Sequence, residues 1–157
     1  MNYMSKNGRL IMLALAAVFV SSGVFAASTS VNNNRTAEKA RQAVEEAAPD
    51  DWYTYAQSAE KCIRKKVNLK EAKGWLERSL EIRRDLSDRV GERNTLRSMG
   101  YLRWRQEEYE KAVALNEAAL AINRQANDVE AMAIDLTNLG TAYKSLGANG
   151  QALEHLE

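Results

Sequence analysis

The chain has one cysteine and one histidine. A single cysteine excludes a disulfide framework within the chain, and one cysteine plus one imidazole cannot build a multi-ligand zinc site. One proline and eight glycines in 157 residues are too few for a turn-rich β fold. An excess of one charge is also missing: 22 bases stand against 21 acids, so the chain as a whole is drawn neither to nucleic acid nor to a membrane surface. What remains is 45% hydrophobic and 27% charged, the make-up of one small globular domain.

The first residues are organised differently from the rest. Lys6 and Arg9 are followed by eleven uninterrupted apolar residues, Leu10 to Val20, then Ser21, Ser22, Gly23 and Val24-Phe25-Ala26. Charged, apolar and small residues in that order make a secretory signal, so 1–26 is expected to be a signal peptide cleaved after Ala26. The alternative is an uncleaved N-terminal membrane anchor, for which the apolar stretch falls just short of the ~20 residues that span a bilayer. No cysteine lies near to carry a lipid. Lys6 and Arg9 are the only charges in 1–26, so cleavage takes two from the 22 bases and leaves 20 against 21 acids. The mature protein is expected to be secreted or periplasmic. Its lone thiol, Cys62, is expected to be a small buried or half-buried side chain.

Residues 27–50 are expected to form a flexible lead-in, through Asn34, and then a short helix capped by Thr36 and stopped by Pro49. Asp50 and Asp51 are placed to cap the next helix. From Trp52 onward every segment has helical period, and no stretch alternates long enough for a strand. Breaks fall at Val67-Asn68, Ser87-Asp88, Glu107-Glu108, Asn127-Asp128 and Gly147 to Gly150. The connections are so short that neighbouring helices must run antiparallel.

The sequence also repeats. A shift of 40 residues superposes Ala72, Ala112 and Ala152, Glu77, Glu117 and Glu157, Leu80 on Leu120, Ile82 on Ile122, Arg84 on Arg124, Asp88 on Asp128, Leu96 on Leu136, and Gly100 on Gly140. These are mostly small and apolar positions of one helical face, where two axes must approach within ~8–10 Å. A single hairpin cannot bury such a face, so its neighbours must stack on it.

Leu139-Gly140-x-x-Tyr143-x-x-x-Gly147, and Met99-Gly100 with Tyr109-x-x-Ala112 and Ala119-Leu120, resemble the tetratricopeptide repeat. The usual period of that repeat is ~34 residues. At 40, this chain is similar to the longer-helix variant of kinesin light chain and of Leu-Gly-Asn-type adaptors. A period of 40 also suits HEAT-type repeats, but the Leu-Gly-x-x-Tyr signature does not. The resemblance covers 51–157 as about three repeats: 51–87, 88–127 and a truncated 128–157. Its first repeat departs from the pattern, with Ala59-Glu60 for Leu-Gly and Ile63 for Tyr, and Arg103 replaces Tyr in the second. The resemblance implies an all-α fold, a right-handed superhelical stack of antiparallel helical hairpins (an α-solenoid).

Nothing in the sequence is arranged for catalysis. The glycines near 147–150 follow no strand and make a turn rather than a phosphate cradle. His155 has no nucleophile beside it. The acid pairs Glu45-Glu46, Asp50-Asp51 and Glu107-Glu108 diverge around a helix and suit solvated faces and caps. The expectation is therefore no enzyme, no cofactor and no metal. Trp75 falls at a core position.

In the family resembled, the first helix of each repeat lines a concave groove. Carried onto this chain, that gives partner-binding candidates Lys61, Arg64, Asn94, Arg97, Tyr101, Trp104, Arg105, Asn138, Thr141 and Lys144, with Gln57, Lys65, Ser98 and Thr137 beside them. Six of these are basic and none acidic. Asn94 and Asn138 suit the backbone of an extended peptide, Arg97 and Arg105 its carboxylates, and Tyr101 or Trp104 an apolar side chain. The Lys/Asn carboxylate clamp used by some members of the family is not reproduced. The expected function is an exported protein–protein interaction module holding an acidic or extended partner segment, with no nucleic acid as ligand and no membrane after signal cleavage. Self-association through the open C-terminal end is a further expectation. The alternative is an N-terminal sensor or docking fragment of a larger signalling or protease-like enzyme, motivated by the incomplete third repeat.

Overall fold

A computed structural model of the chain describes residues 29–147. Residues 1–26, expected to be a signal peptide, and the end of the third repeat, with Ala152, His155 and Glu157, lie outside the described residues. Among the described residues there are six helices and no strand. They are α1 over 29–46, α2 Trp52–Lys65, α3 Leu69–Asp85, α4 Arg89–Arg105, α5 Tyr109–Ala126 and α6 Val129–Leu146. No helix among them is long and apolar enough to cross a membrane.

The first helices of the repeats, α2, α4 and α6, start where an aspartate satisfies a free backbone donor. The Asp51 carboxylate accepts from the Thr54 N–H at 3.0 Å, Asp88 from Gly91 at 2.8 Å and Asp128 from Ala131 at 3.0 Å. Asp88 and Asp128 stand one repeat apart and do the same work. The connections have a period of their own: Ser87, Glu107, Asn127 and Gly147 all take the left-handed conformation, with φ of 56°, 63°, 54° and 84°. One such residue every twenty reverses the chain tightly enough to lay each helix back along the last. Only Gly147 adopts this conformation without a Cβ penalty. Glu107→Gly is accordingly expected to raise stability by about 0.5–1 kcal/mol, read as a higher Tm by circular dichroism. Asn127→Gly should change little, because Asn tolerates the region.

The start of α1 differs from expectation. The helix already runs at 29, and Thr36 lies inside it with its hydroxyl donating to the Asn32 carbonyl at 2.9 Å. A hydroxyl bonded to a carbonyl four residues back sits comfortably within a helix, so Thr36 is no cap. Ala40, 3% exposed, brings α1 into the core, and Arg41 ties it to Glu71 of α3 at 2.9 Å.

Sequential helices pack as hairpins, α2 on α3, α4 on α5 and α5 on α6, with α3 against α4 joining them and a lighter contact of α2 with α4. The core passes from one hairpin to the next. Ala59, Cys62, Ile63, Ala72 and Leu76 are capped by Leu102 of α4, and Leu80 meets Leu96, Ala119 and Ile122. Ala112, Val113 and Leu120 meet Leu139 and Ala142 of α6. Trp75 packs against the first cluster, and Cys62 is fully buried in it. Burial pushes the Cys62 thiol up, which disfavours its thiolate. Gly100 is small for a reason visible here: a Cβ would stand 3.0 Å from Asn116 Oδ1 of α5.

Polar groups also cross the seams between repeats. Between the second and third, Asp135 and Asn123 are both 0% exposed. Arg97 Nε donates to Asp135 Oδ1 at 2.5 Å, and Asn123 Nδ2 donates to Asp135 Oδ2. Arg93 Nη1 donates to Asn123 Oδ1 at 2.5 Å and to Asp128 Oδ2 at 2.8 Å. One repeat earlier, Arg83 occupies the place of Asn123. Its guanidinium lies 3.7 Å over the Trp52 ring and its Nη1 is 3.9 Å from Asp88. Burial pulls Arg83 below the ordinary arginine value, opposed by Asp88 and Glu60. Trp52 therefore serves this seam as a cation–π platform.

Several capping and bridging carboxyls are held below their ordinary range. The cause is chiefly the Thr54 hydroxyl for Asp51, the Ala131 N–H and then Arg93 for Asp128, Arg41 for Glu71, and Lys111 for Glu108. In the unfolded chain these groups take up protons at higher pH than in the fold, so their contribution is complete near neutrality and is lost as pH falls through the lowered values. Tm should be flat around neutrality and fall below about pH 4. Asp128→Asn should make that fall shallower in a pH series of melting curves, and a Tm that rises on acidification would contradict the assignment.

Candidate functional site

The first helices of the repeats, α2, α4 and α6, do come together. With α5 as floor they enclose an open cavity of about 470 Å³, within the ~300–1,000 Å³ of ligand sites. Arg64, Arg97, Tyr101, Trp104, Asn138 and Thr141 all line it, six of the ten expected residues. Lys61 instead lines a second cavity, between α1 and α2, which also takes in Arg64. Asn94, Arg105 and Lys144 line neither cavity.

The aromatic side of the groove is built by α4. Tyr101 and Trp104 stack one helical turn apart, with centroids 6.0 Å apart and planes at 15°. Tyr101 is 42% exposed. Trp104 is steadied from α6, its Nε1–H donating to Ser145 Oγ at 2.9 Å. The Arg105 guanidinium lies 5.8 Å from the Tyr101 ring, so Arg105 supports the platform from outside the cavity.

Two expectations need correction. Arg97 is not available for a partner's carboxylates, because Asp135 and the Ala131 carbonyl, at 2.7 Å, already hold it. A partly buried guanidinium with a buried carboxylate beside it is a structural pair. Nor is the groove free of acids: Glu60 lines it and accepts from the Ser98 hydroxyl at 2.8 Å. The cation left on the groove is Arg64, which is exposed and forms no ion pair or hydrogen bond with a described residue.

Asn116 and Glu60 were not among the expected site residues. Asn116 is 4% exposed, lines the cavity beneath Gly100, and makes no side-chain hydrogen bond to a described residue. The signal for it lies in the repeat: one period earlier the same position is Leu76, fully buried. A carboxamide where the pattern supplies a core leucine marks a polar floor. Asn138, half-buried on α6, is likewise without a hydrogen-bond partner among the described residues. The cavity thus offers two open carboxamides, a stacked aromatic pair and one unpaired guanidinium. That set binds and orients, and it holds no nucleophile–base pair. No cluster of metal-ligating side chains is present among the described residues.

Stacked antiparallel hairpins with a groove along their first helices define an all-α helical-repeat solenoid. Residues 62–125 match the family described as tetratricopeptide repeat. The solved structure of the TPR domain of Arabidopsis FLU is similar in fold, with a TM-score of 0.62 at 19% identity over 66% of this chain and 87% of that one. No curated protein matches the chain in sequence. The match over 62–125 and the likeness in fold together support a tetratricopeptide-repeat protein. Such repeats make it a protein–protein interaction module, since domains of this kind generally bind protein partners.

Proposed function

We propose that this is an exported, non-enzymatic interaction module that holds an extended, acidic segment of a partner protein along α2, α4 and α6, its repeats being of the longer, 40-residue kind. The reading rests on the unpartnered carboxamides of Asn116 and Asn138 facing one cavity with the Tyr101–Trp104 stack. Carboxamides present a donor and an acceptor together, which is what an extended backbone needs, and a partner that fills the site satisfies groups otherwise left open. Arg64 supplies a charge-assisted contact for a carboxylate, and the aromatic pair covers an apolar side chain. Export rests on the segment 1–26.

The test is selection of linear peptides from a displayed random library on the full chain. Acidic sequences should be enriched, and their binding should weaken with salt. Tyr101→Ala with Arg64→Glu should reduce affinity by about tenfold or more, with Tm little changed because both side chains are exposed. Enrichment of basic peptides, or equal binding by the double variant, would refute the reading.

A further inference from the structure

The second cavity, about 640 Å³ between α1 and α2, adjoins the groove at Arg64, which lines both. Lys39 of α1 and Lys61, Arg64 and Lys65 of α2 line it, and no carboxylate does. None of these four cations enters any ion pair between described residues, although pairs are common elsewhere on the surface. Four like charges around one concavity repel one another, and a bound anion relieves that repulsion. A second observation points the same way. Ser58, 2% exposed, lines the cavity, and its hydroxyl has no hydrogen-bond partner among the described residues. The hydroxyl of this otherwise buried side chain is therefore open to the cavity, where it can donate to a bound anion.

We propose that this cavity binds a small polyanion bearing phosphoryl groups. Its formal charge of about four asks for more than one anionic group, and its volume is that of a small-molecule site. Three of the four cations are lysines, compact charges that suit tetrahedral oxygens, whereas planar carboxylates are best met by the guanidinium fork that only Arg64 supplies.

The test is calorimetric titration of the full chain with sodium tripolyphosphate at about 150 mM salt, where exposed charges are largely screened. Saturable binding is expected. Lys39→Glu with Lys61→Glu should weaken it by about tenfold or more. Ser58→Ala, which leaves every charge in place, should weaken it about threefold. Lys70→Glu, an exposed change on α3 outside the cavity, should leave it unchanged. Both cavity lysines are exposed, so the double variant should keep its helical circular dichroism. Absence of saturable binding, equal binding by wild type and double variant, or citrate binding as tightly as tripolyphosphate would overturn the proposal. No peptide enters the experiment, so its outcome is independent of the groove.

Discussion

Asp135→Ala is expected to destabilise the fold by about 3–5 kcal/mol, the range for breaking a buried pair from one side. Asp135 is 0% exposed and its two oxygens serve Arg97 and Asn123. Removing it leaves a partly buried guanidinium without its anion and a fully buried carboxamide without its acceptor. Each orphaned group bears a desolvation penalty that no longer has compensation. A fold of this size has about 5–15 kcal/mol in total, so the variant should melt lower by more than about 10 °C or fail to fold. Arg97→Met with Asp135→Leu removes both charges together and should recover most of the loss. Chemical denaturation of wild type, Arg97→Met, Asp135→Leu and the double variant completes a double-mutant cycle that measures the coupling. A Tm within about 2 °C of wild type for Asp135→Ala would mean that the seam contributes nothing.

Leu102→Ala should cost about 2–5 kcal/mol, and it tests whether the hairpins are one stack. Leu102 belongs to α4, yet its side chain, 1% exposed, closes the cluster made by Ala59, Cys62, Ile63, Ala72 and Leu76 of the preceding hairpin. Truncation opens a cavity between repeats rather than within one. Its neighbour Tyr101 points to the groove and is 42% exposed, so Tyr101→Ala should cost about 1 kcal/mol or less. Urea titrations of the two variants should separate clearly. Similar midpoints would show that α4 does not carry the inter-repeat core.

The architecture was legible because its causes are local and periodic. Asp88 and Asp128 cap from the same place in successive repeats, and the break residues Asn68, Ser87, Glu107, Asn127 and Gly147 all take the left-handed conformation. Small residues at Gly100, Ala72 and Ala112 mark where the axes approach. The helical face that lines the groove was legible too, which is why Arg64, Tyr101, Trp104 and Asn138 were expected there and line the cavity.

What the sequence hid depends on partners far along the chain. The role of Arg97 is set by Asp135, 38 residues later and on another helix, and nothing next to Arg97 announces that pairing. Glu60 was overlooked for the same reason: its alliance with Ser98 exists only once α2 and α4 lie side by side. The start of α1 was missed because a stretch of Ser, Thr and Asn reads as irregular, whereas Thr36 bonds back into its own helix. Asn116 was legible only in comparison with Leu76.

The groove is tested most directly by the indole resonances of the three tryptophans in the full chain, before and after addition of a selected acidic peptide. Trp104 lines the cavity, Trp75 packs in the first core cluster and Trp52 lies under Arg83. The Trp104 Nε1–H signal is expected to shift in a saturable way while those of Trp75 and Trp52 stay in place. Saturable binding that moves Trp52 or Trp75 and leaves Trp104 unchanged would contradict that expectation.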